Sequence, residues 1–287
     1  MTVYLTEELK RQYPHIFCVI EGMLSVAGVE LEMVRGTRNL WIRDWAPIKT
    51  NTHYTKFQYK IKNPNPWPQL NVSPCVWHDF ATAESPIVLD GGNVEQSKEV
   101  VLISEIIFKH NPRVEYDKLV GALESTFDRE VVFLPVEPGD TLGHMDGIAR
   151  FVDDRTVIVN GYHEDMGQEY KDYQALVAHR LHLNGFFVYV LPNAYHLMPK
   201  INEKQFRQRY PDADDFNPGF GYYLNFYKVG GLLFMPVFNI KEDNDAYKVM
   251  RSAFPNHEIV PVSCADLSME GGLCNCVTWE WEKPCRV

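Results

Sequence analysis

The feature of this 287-residue chain that most restricts its fold is an order of elements that recurs along it. Arg113 to Phe127 places Tyr116, Val120, Leu123 and Phe127 on one helical face, and Val131 to Val136 follows as a buried strand. A polar head, Gly143-His144-Met145-Asp146, leads into two short strands, Ile148 to Val152 and Thr156 to Asn160, turning at Asp153-Asp154. Downstream the order returns as a helix over Gln168 to Leu183, a strand over Phe186 to Leu191 and a long loop. Strands at Tyr222 to Tyr227 and Leu232 to Phe238, joined at Gly230-Gly231, complete that copy. A further copy is a helix N-capped by Asp243 with Ala246, Val249, Met250 and Ala253 on its apolar face. It continues through His257 to Val262 and ends at Gly271 to Trp279. Toward the N-terminus, Ile16 to Ala27 reads as a helix, Gly28 to Val34 as a strand and Trp45 to Tyr59 as a hairpin. Val94 to Ser104 reads as another hairpin, turning at Ser97-Lys98, with no helix visible before it.

Five hairpins therefore each open on a polar or reactive residue: Asp44, Asp90, Asp146, Asn225 and Cys276. They recur at intervals of roughly 50 residues, one of them stretched by the loop Asn193 to Gly219. Units of this size cannot bury a face alone and stack into a ring or solenoid. A ring brings the five heads to one centre. The expected fold class is thus α/β, in a single domain over residues 1–287. Asn63 to Pro68 (NPNPWP) reads as a stiff loop inside that domain rather than a linker.

The charge balance, 28 Lys and Arg against 38 Asp and Glu, leaves a net −10 and argues against a nucleic-acid-binding surface. No run of about 20 apolar residues is present to span a membrane. Met1 to Tyr13 is polar and mixed in charge, unlike a signal peptide. The six cysteines (Cys18, Cys75, Cys264, Cys274, Cys276 and Cys285) are scattered in a chain large enough to do without disulfides. A cytoplasmic protein with reduced thiols is the expectation.

Cys276 follows Gly271-Gly272, where missing side chains allow close approach of a ligand, and the strand after it would hold the thiol. Cys274 and Cys276 lack the two-to-four-residue spacing of a zinc pair, so no metal is expected. His144 and Asp146, two apart, would point to one side if extended. Asp44 lies between Trp41 and Trp45, and two indoles beside a carboxylate make a cage for a delocalised cation. The ordinary alternatives are a structural thiol, a packed histidine, a turn aspartate at Asp90 and a surface pair between Arg43 and a carboxylate. Taken together, a thiol, an imidazole and several carboxylates suit attack on a carbon that is already cationic. Carboxylates raise a nearby thiol's pKa and weaken an ordinary thiol protease, but they orient and neutralise a guanidinium.

WIRDWAP, LDGGN, GHMDGIARF, YYLNF and GGLCNCVTW, in this order over most of the chain, resemble the agmatine deiminase and bacterial-type peptidylarginine deiminase family. That family belongs to the pentein, or guanidino-group-modifying, superfamily. The resemblance implies a five-bladed pseudosymmetric α/β propeller of ββαβ units and a hydrolase without a cofactor. It implies that Cys276 is the nucleophile, His144 the general acid and base, and Asp44 and Asp146 the carboxylates that bind the guanidinium. Trp41, Asp90, Asn93, Asn225 and Gly272, in the same motifs, are the expected substrate contacts. Two positions depart from the agmatine deiminase pattern: Asp90 stands where those enzymes usually carry Glu, and Asn275 where they carry His.

The expected reaction is hydrolysis of a guanidino group, on agmatine, arginine or peptidyl arginine, to a ureido group with release of ammonia. The expected partner is a small cationic guanidino compound, with homo-oligomerisation left open. An amidinotransferase, a catalytically silent guanidino-binding protein and an amide-cleaving thiol hydrolase are the competing readings.

Overall fold

In the computed structural model, which describes residues 1–51, 53–59, 83–198, 208 and 218–282, the chain builds five three-stranded sheets. The first contains β1 (Thr2–Thr6), then α1 (Glu7–Gln12), α2 (Pro14–Val26) and β2 (Glu30–Val34). A helical turn, α3 (Ile42–Trp45), precedes the second sheet, made of β3 (Ile48–Lys49), β4 (Tyr54–Gln58) and β5 (Ala83–Val88). The third has β6 (Val94–Gln96), β7 (Val100–Ser104), α4 (Ile106–His110), α5 (Tyr116–Phe127) and β8 (Glu130–Leu134). The fourth has β9 (Ala149–Asp153), β10 (Thr156–Gly161), α6 (Gln168–Leu183) and β11 (Phe187–Pro192). The fifth has β12 (Tyr227–Val229), β13 (Leu232–Val237), α7 (Glu242–Ala253) and β14 (Glu258–Ser263).

In every sheet the central strand runs antiparallel to one neighbour and parallel to the other, the strand arrangement of a ββαβ unit, and in four of the five a described helix precedes the parallel strand. The central strands are apolar because both faces are covered. β7, β10 and β13 are buried at all but their terminal residues. The helices bury single stripes four residues apart: Leu119, Leu123 and Phe127 in α5, and Tyr173, Val177 and Leu181 in α6. The five sheets form the expected five-fold α/β propeller.

The ring closes through its ends. β15 (Trp279–Trp281) pairs antiparallel with β1, Val3 opposite Glu280, so the first sheet is completed by the last strand of the described chain. Neither β1 nor α1 is evident in the sequence, because β1 is only five residues long and its antiparallel partner lies at the opposite end of the ring. Val3 and Leu5 are nonetheless fully buried.

Several boundaries differ from the sequence expectation. Residues 222–226 are turn and irregular backbone rather than strand, and β12 begins only at Tyr227. The cap of α7 is Lys241, while Asp243 sits in its first turn and accepts from the backbone N–H groups of Phe238 and Ile240. Cys276 lies in a turn, ahead of the strand expected to hold it. The NPNPWP segment and most of the loop within Asn193 to Gly219 lie outside the described residues.

Candidate active site

Each of the five heads stands just before the first strand of its sheet: Asp44 in α3, Asp90 before Gly91–Asn93, Asp146 in the turn Met145–Gly147, Asn225 before β12 and Cys276 before β15. The ring brings them together. His144, Asp146, Asn225, Gly272 and Cys276 line one cleft of about 530 Å³, joined by Glu137, Asp140 and Tyr222. The polar heads are only 2% to 9% exposed, so their charges act in a poorly hydrated setting.

The thiol is held by two neighbouring heads. Asn225 Nδ2 donates to Cys276 Sγ at 3.2 Å, and Sγ lies 3.6 Å from Asp146 Oδ2. The carboxamide oxygen of Asn225 accepts from the backbone N–H groups of Asn275 (3.1 Å) and Cys276 (3.4 Å), which fixes the turn carrying the thiol. Arg43 N–H donates to the Cys276 carbonyl at 3.1 Å and ties α3 to the same turn.

His144 sits between two carboxylates, with Nε2 3.1 Å from Asp90 Oδ2 and Nδ1 3.6 Å from Asp44 Oδ1. Gly92 makes this approach feasible: its backbone N–H donates to Asp44, and a Cβ there would fall 2.7 Å from Asp44 Oδ1 and 2.8 Å from His144 Nδ1. Gly272 serves the same purpose on the cleft wall, where a Cβ would stand 2.5 Å from the Trp41 ring.

Burial and charge shift these groups in opposite directions. Burial lowers the affinity of His144 for its proton, but Asp44 and the hydrogen bond to Asp90 outweigh it and carry the imidazole up to about 10. Burial pushes Asp44 up to about 7 against the pull of the His144 charge. The Cys276 thiol is held well above its ordinary value by burial, with Asp146 and Asp44 adding to the effect. The site's own groups therefore favour a protonated imidazole and a protonated thiol at neutral pH.

Not every expected contact reaches the cleft. The Asn93 side-chain oxygen accepts from Ser104 N–H at 2.9 Å and braces β7 instead. Trp45 is packed in the core with Ile42, Tyr54 and Trp279, so only one of the two expected indoles stands near the cleft wall. Asp44 and Asp90 contact His144 and are not among the residues that line the cleft, and Asp90 Oδ1 is buried with no hydrogen-bond partner among the described residues. Arg43 pairs with Glu280 at 2.8 Å, which leaves Asp44 out of the surface pairing that was the ordinary alternative.

The sequence reading missed Glu137, Arg150 and the part played by Asn275. A charged residue inside the apolar strand Ile148 to Val152 is a signal that could have marked Arg150. Nothing in Glu137-Pro-Gly-Asp140 distinguishes Glu137 from a loop residue. Glu137 is 5% exposed and accepts from the hydroxyls of Tyr162 (2.8 Å) and Tyr222. Burial raises it to about 7, although both tyrosines pull the other way. Its folded pKa thus exceeds the unfolded value of 4.5, so its contribution to stability is full below pH 4.5 and is lost as pH rises to about 7. Glu137→Gln should stabilise the fold at pH 8 by on the order of 3 kcal/mol, a gain that vanishes by pH 4. Thermal melting of both forms across that range checks it; equal melting temperatures at pH 8 would refute the buried charge.

One group of metal-ligand type occurs among the described residues, His163, Asp165 and His196, with donor atoms within 4.8 Å of one another. It lies outside the cleft lining. Its two imidazoles are stacked 4.1 Å apart and 10° from parallel, so their in-plane lone pairs do not converge on a common point.

A five-bladed α/β propeller with a thiol, an imidazole and carboxylates at its centre defines a pentein-type protein. The family model for Porphyromonas-type peptidyl-arginine deiminase matches residues 5–281, and the chain belongs to that family. It is 26% identical over 215 residues to the agmatine deiminase of Pseudomonas fluorescens, covering 70% of this chain and 58% of that one. The Medicago truncatula agmatine deiminase is 25% identical over 210 residues, 67% of this chain and 56% of its own. The chain thus spans somewhat over half the length of these relatives. In structure it is similar to a variant of C. jejuni agmatine deiminase with substrate bound (TM-score 0.76, 18% identity, 99% of this chain and 94% of that one). The agmatine deiminase of Enterococcus faecalis superposes with a TM-score of 0.74 at 16% identity, over 100% of this chain and 93% of that one.

Proposed function

We propose that the protein is a deiminase, hydrolysing a guanidino group to a ureido group and releasing ammonia through a covalent intermediate on Cys276. The observation that carries this reading is the convergence of Cys276, His144 and Asp146 on one cleft, with Asp44 and Asp90 against the imidazole. The cleft's described lining holds Glu137, Asp140 and Asp146 and neither Lys nor Arg, which supports a cationic ligand.

A guanidinium entering between Asp44 and Asp146 brings positive charge beside the thiol. It thereby lowers the thiol's hold on its proton, which leaves for solvent or a carboxylate. The thiolate adds to the guanidinium carbon, forming the C–S bond. His144, already protonated, gives its proton to the departing nitrogen, which leaves as ammonia. The thiouronium that remains is attacked by water, whose proton returns to His144. Collapse expels the thiolate and yields the neutral ureido product, the ammonia taking up the second proton as ammonium. Asp44, Asp146 and Asn225 act by position, holding the cation in line with sulfur.

Ammonia release across a panel of guanidino compounds tests the activity, and mass spectrometry of quenched reactions tests for an adduct on Cys276. No release from any member and no adduct would reject the reading. The rate should also follow pH in a defined way. Asp44 must be ionised and His144 protonated, so kcat/KM should rise through about pH 7 and fall again near pH 10. A rate that is flat from pH 6 to 8 would exclude Asp44 as the group behind the acid limb.

No helix among the described residues is long and apolar enough to cross a membrane. Cys18, Cys264, Cys274 and Cys276 are all free, including Cys264 and Cys274 with sulfurs 3.6 Å apart. This supports a reducing, cytoplasmic setting for one catalytic unit.

A further inference from the structure

We infer that Asn275 is a positioning residue that sets the orientation and effective charge of the Asp146 carboxylate beside the Cys276 thiol, and that Arg150 dictates which way round its carboxamide sits. The inference rests on the roles proposed above for Cys276 and Asp146.

Arg150 projects from β9 beneath the site and is 7% exposed. Its Nη1 donates to the Phe226 carbonyl at 2.6 Å and lies 3.4 Å from that of Leu224, the two residues flanking Asn225. Its guanidinium stands 4.5 Å over the Phe226 ring and is paired with the half-buried carboxylate of Glu95 on β6. The remaining nitrogen, Nη2, donates to Asn275 Oδ1 at 3.3 Å. This one side chain ties β9 to β6 and to the turns that lead into β12 and β15.

A guanidinium can only donate, so the carboxamide oxygen must face it. The amide nitrogen is then obliged to face the other way, where Nδ2 donates to Asp146 Oδ2 at 2.8 Å. Turning the carboxamide over would set its oxygen against a carboxylate and its NH₂ against a guanidinium, two repulsive contacts in a buried place. Asp146 Oδ2 is also the oxygen that lies 3.6 Å from Cys276 Sγ. A neutral donor on that oxygen draws off charge that would otherwise hold the thiol proton, and it keeps the carboxylate from rotating. Asn275 therefore governs the thiol through Asp146 without its side chain touching the sulfur.

The test is the pH dependence of Cys276 alkylation by iodoacetamide, read on the Cys276 peptide by mass spectrometry so that other cysteines do not contribute. Asn275→Ala removes the donor, and the alkylation midpoint should move up by at least about one unit, a tenfold loss of thiolate at fixed pH. On the best guanidino compound, kcat should fall at least about tenfold while KM stays within about threefold. Asn275→Asp keeps the volume and the acceptor for Arg150, but once the two carboxylates lose their shared proton a second negative charge faces the thiol. Its midpoint should rise at least as far as that of the alanine form. A purely structural role would lower the melting temperature and leave the midpoint in place. Curves for either folded variant within about 0.3 units of the parent would overturn the inference; if the alanine form does not fold, the aspartate form decides. The alkylation curve needs no substrate, so the inference can fail while the parent releases ammonia. Absence of ammonia and of adduct in the parent would instead count against the deiminase reading.

Discussion

Cys276→Ser is expected to release no measurable ammonia, a loss of at least about 10³-fold, while the folded structure is retained. The reason lies in the surroundings of the sulfur. Burial and the carboxylates of Asp146 and Asp44 hold the thiol proton, so the bound cation must lower the barrier to ionisation. A serine hydroxyl starts from a far higher pKa, and the same cation cannot bring it within reach. Asn225 can still donate to the oxygen, so folding and binding of a guanidino compound should survive. Cys274 provides the contrast: it is fully buried, its sulfur faces Cys264 and it is not part of the cleft lining. Cys274→Ala should keep activity within about threefold at some cost in stability, since it deletes one buried sulfur. An active Cys276 variant beside an inactive Cys274 variant would show that the nucleophile had been assigned to the wrong thiol.

Asp44→Asn carries the second-largest expected effect. The change preserves shape and leaves an oxygen for the Gly92 N–H, so the local turn should persist. What disappears is a buried negative charge with two uses. It pairs with His144 Nδ1, 3.6 Å away, and helps to keep the imidazole protonated. It is also proposed to pair with the guanidinium. Charge-assisted hydrogen bonds contribute about 1.5–3 kcal/mol, so kcat/KM should drop by roughly 10- to 150-fold. The drop should lie more in kcat than in KM, because the cation must be held in line with sulfur during attack. The acid limb near pH 7 should vanish with it, since the titrating carboxylate has gone. If Asp44 only braced the Gly92 turn, the asparagine form would work within about threefold of the parent, some 0.65 kcal/mol. Steady-state rates from pH 6 to 9 separate these outcomes.

Much of this site is legible in the order of residues alone. Repeated hairpins opened by Asp44, Asp90, Asp146, Asn225 and Cys276 determine that five small sheets form and that their polar heads meet, because hydrophobic periodicity and turn residues are local properties of a sequence. Residue chemistry also determines that the centre is acidic around one thiol and one imidazole. Long-range geometry decided the rest. β1 becomes a central strand because β15 reaches it from the other end of the chain while β2 pairs along its other edge, and Trp45 is core because it packs with Tyr54 and Trp279. Asn93 serves β7, Asp90 serves His144, and Asn275 serves Asp146 because side-chain partners are far apart along the chain, and no local pattern encodes their distances. The same holds for protonation. Asp44, His144, Glu137 and Cys276 have ordinary affinities for protons as isolated residues, and only burial beside their neighbours shifts them, a consequence of low hydration and close charges that exists once the ring has closed.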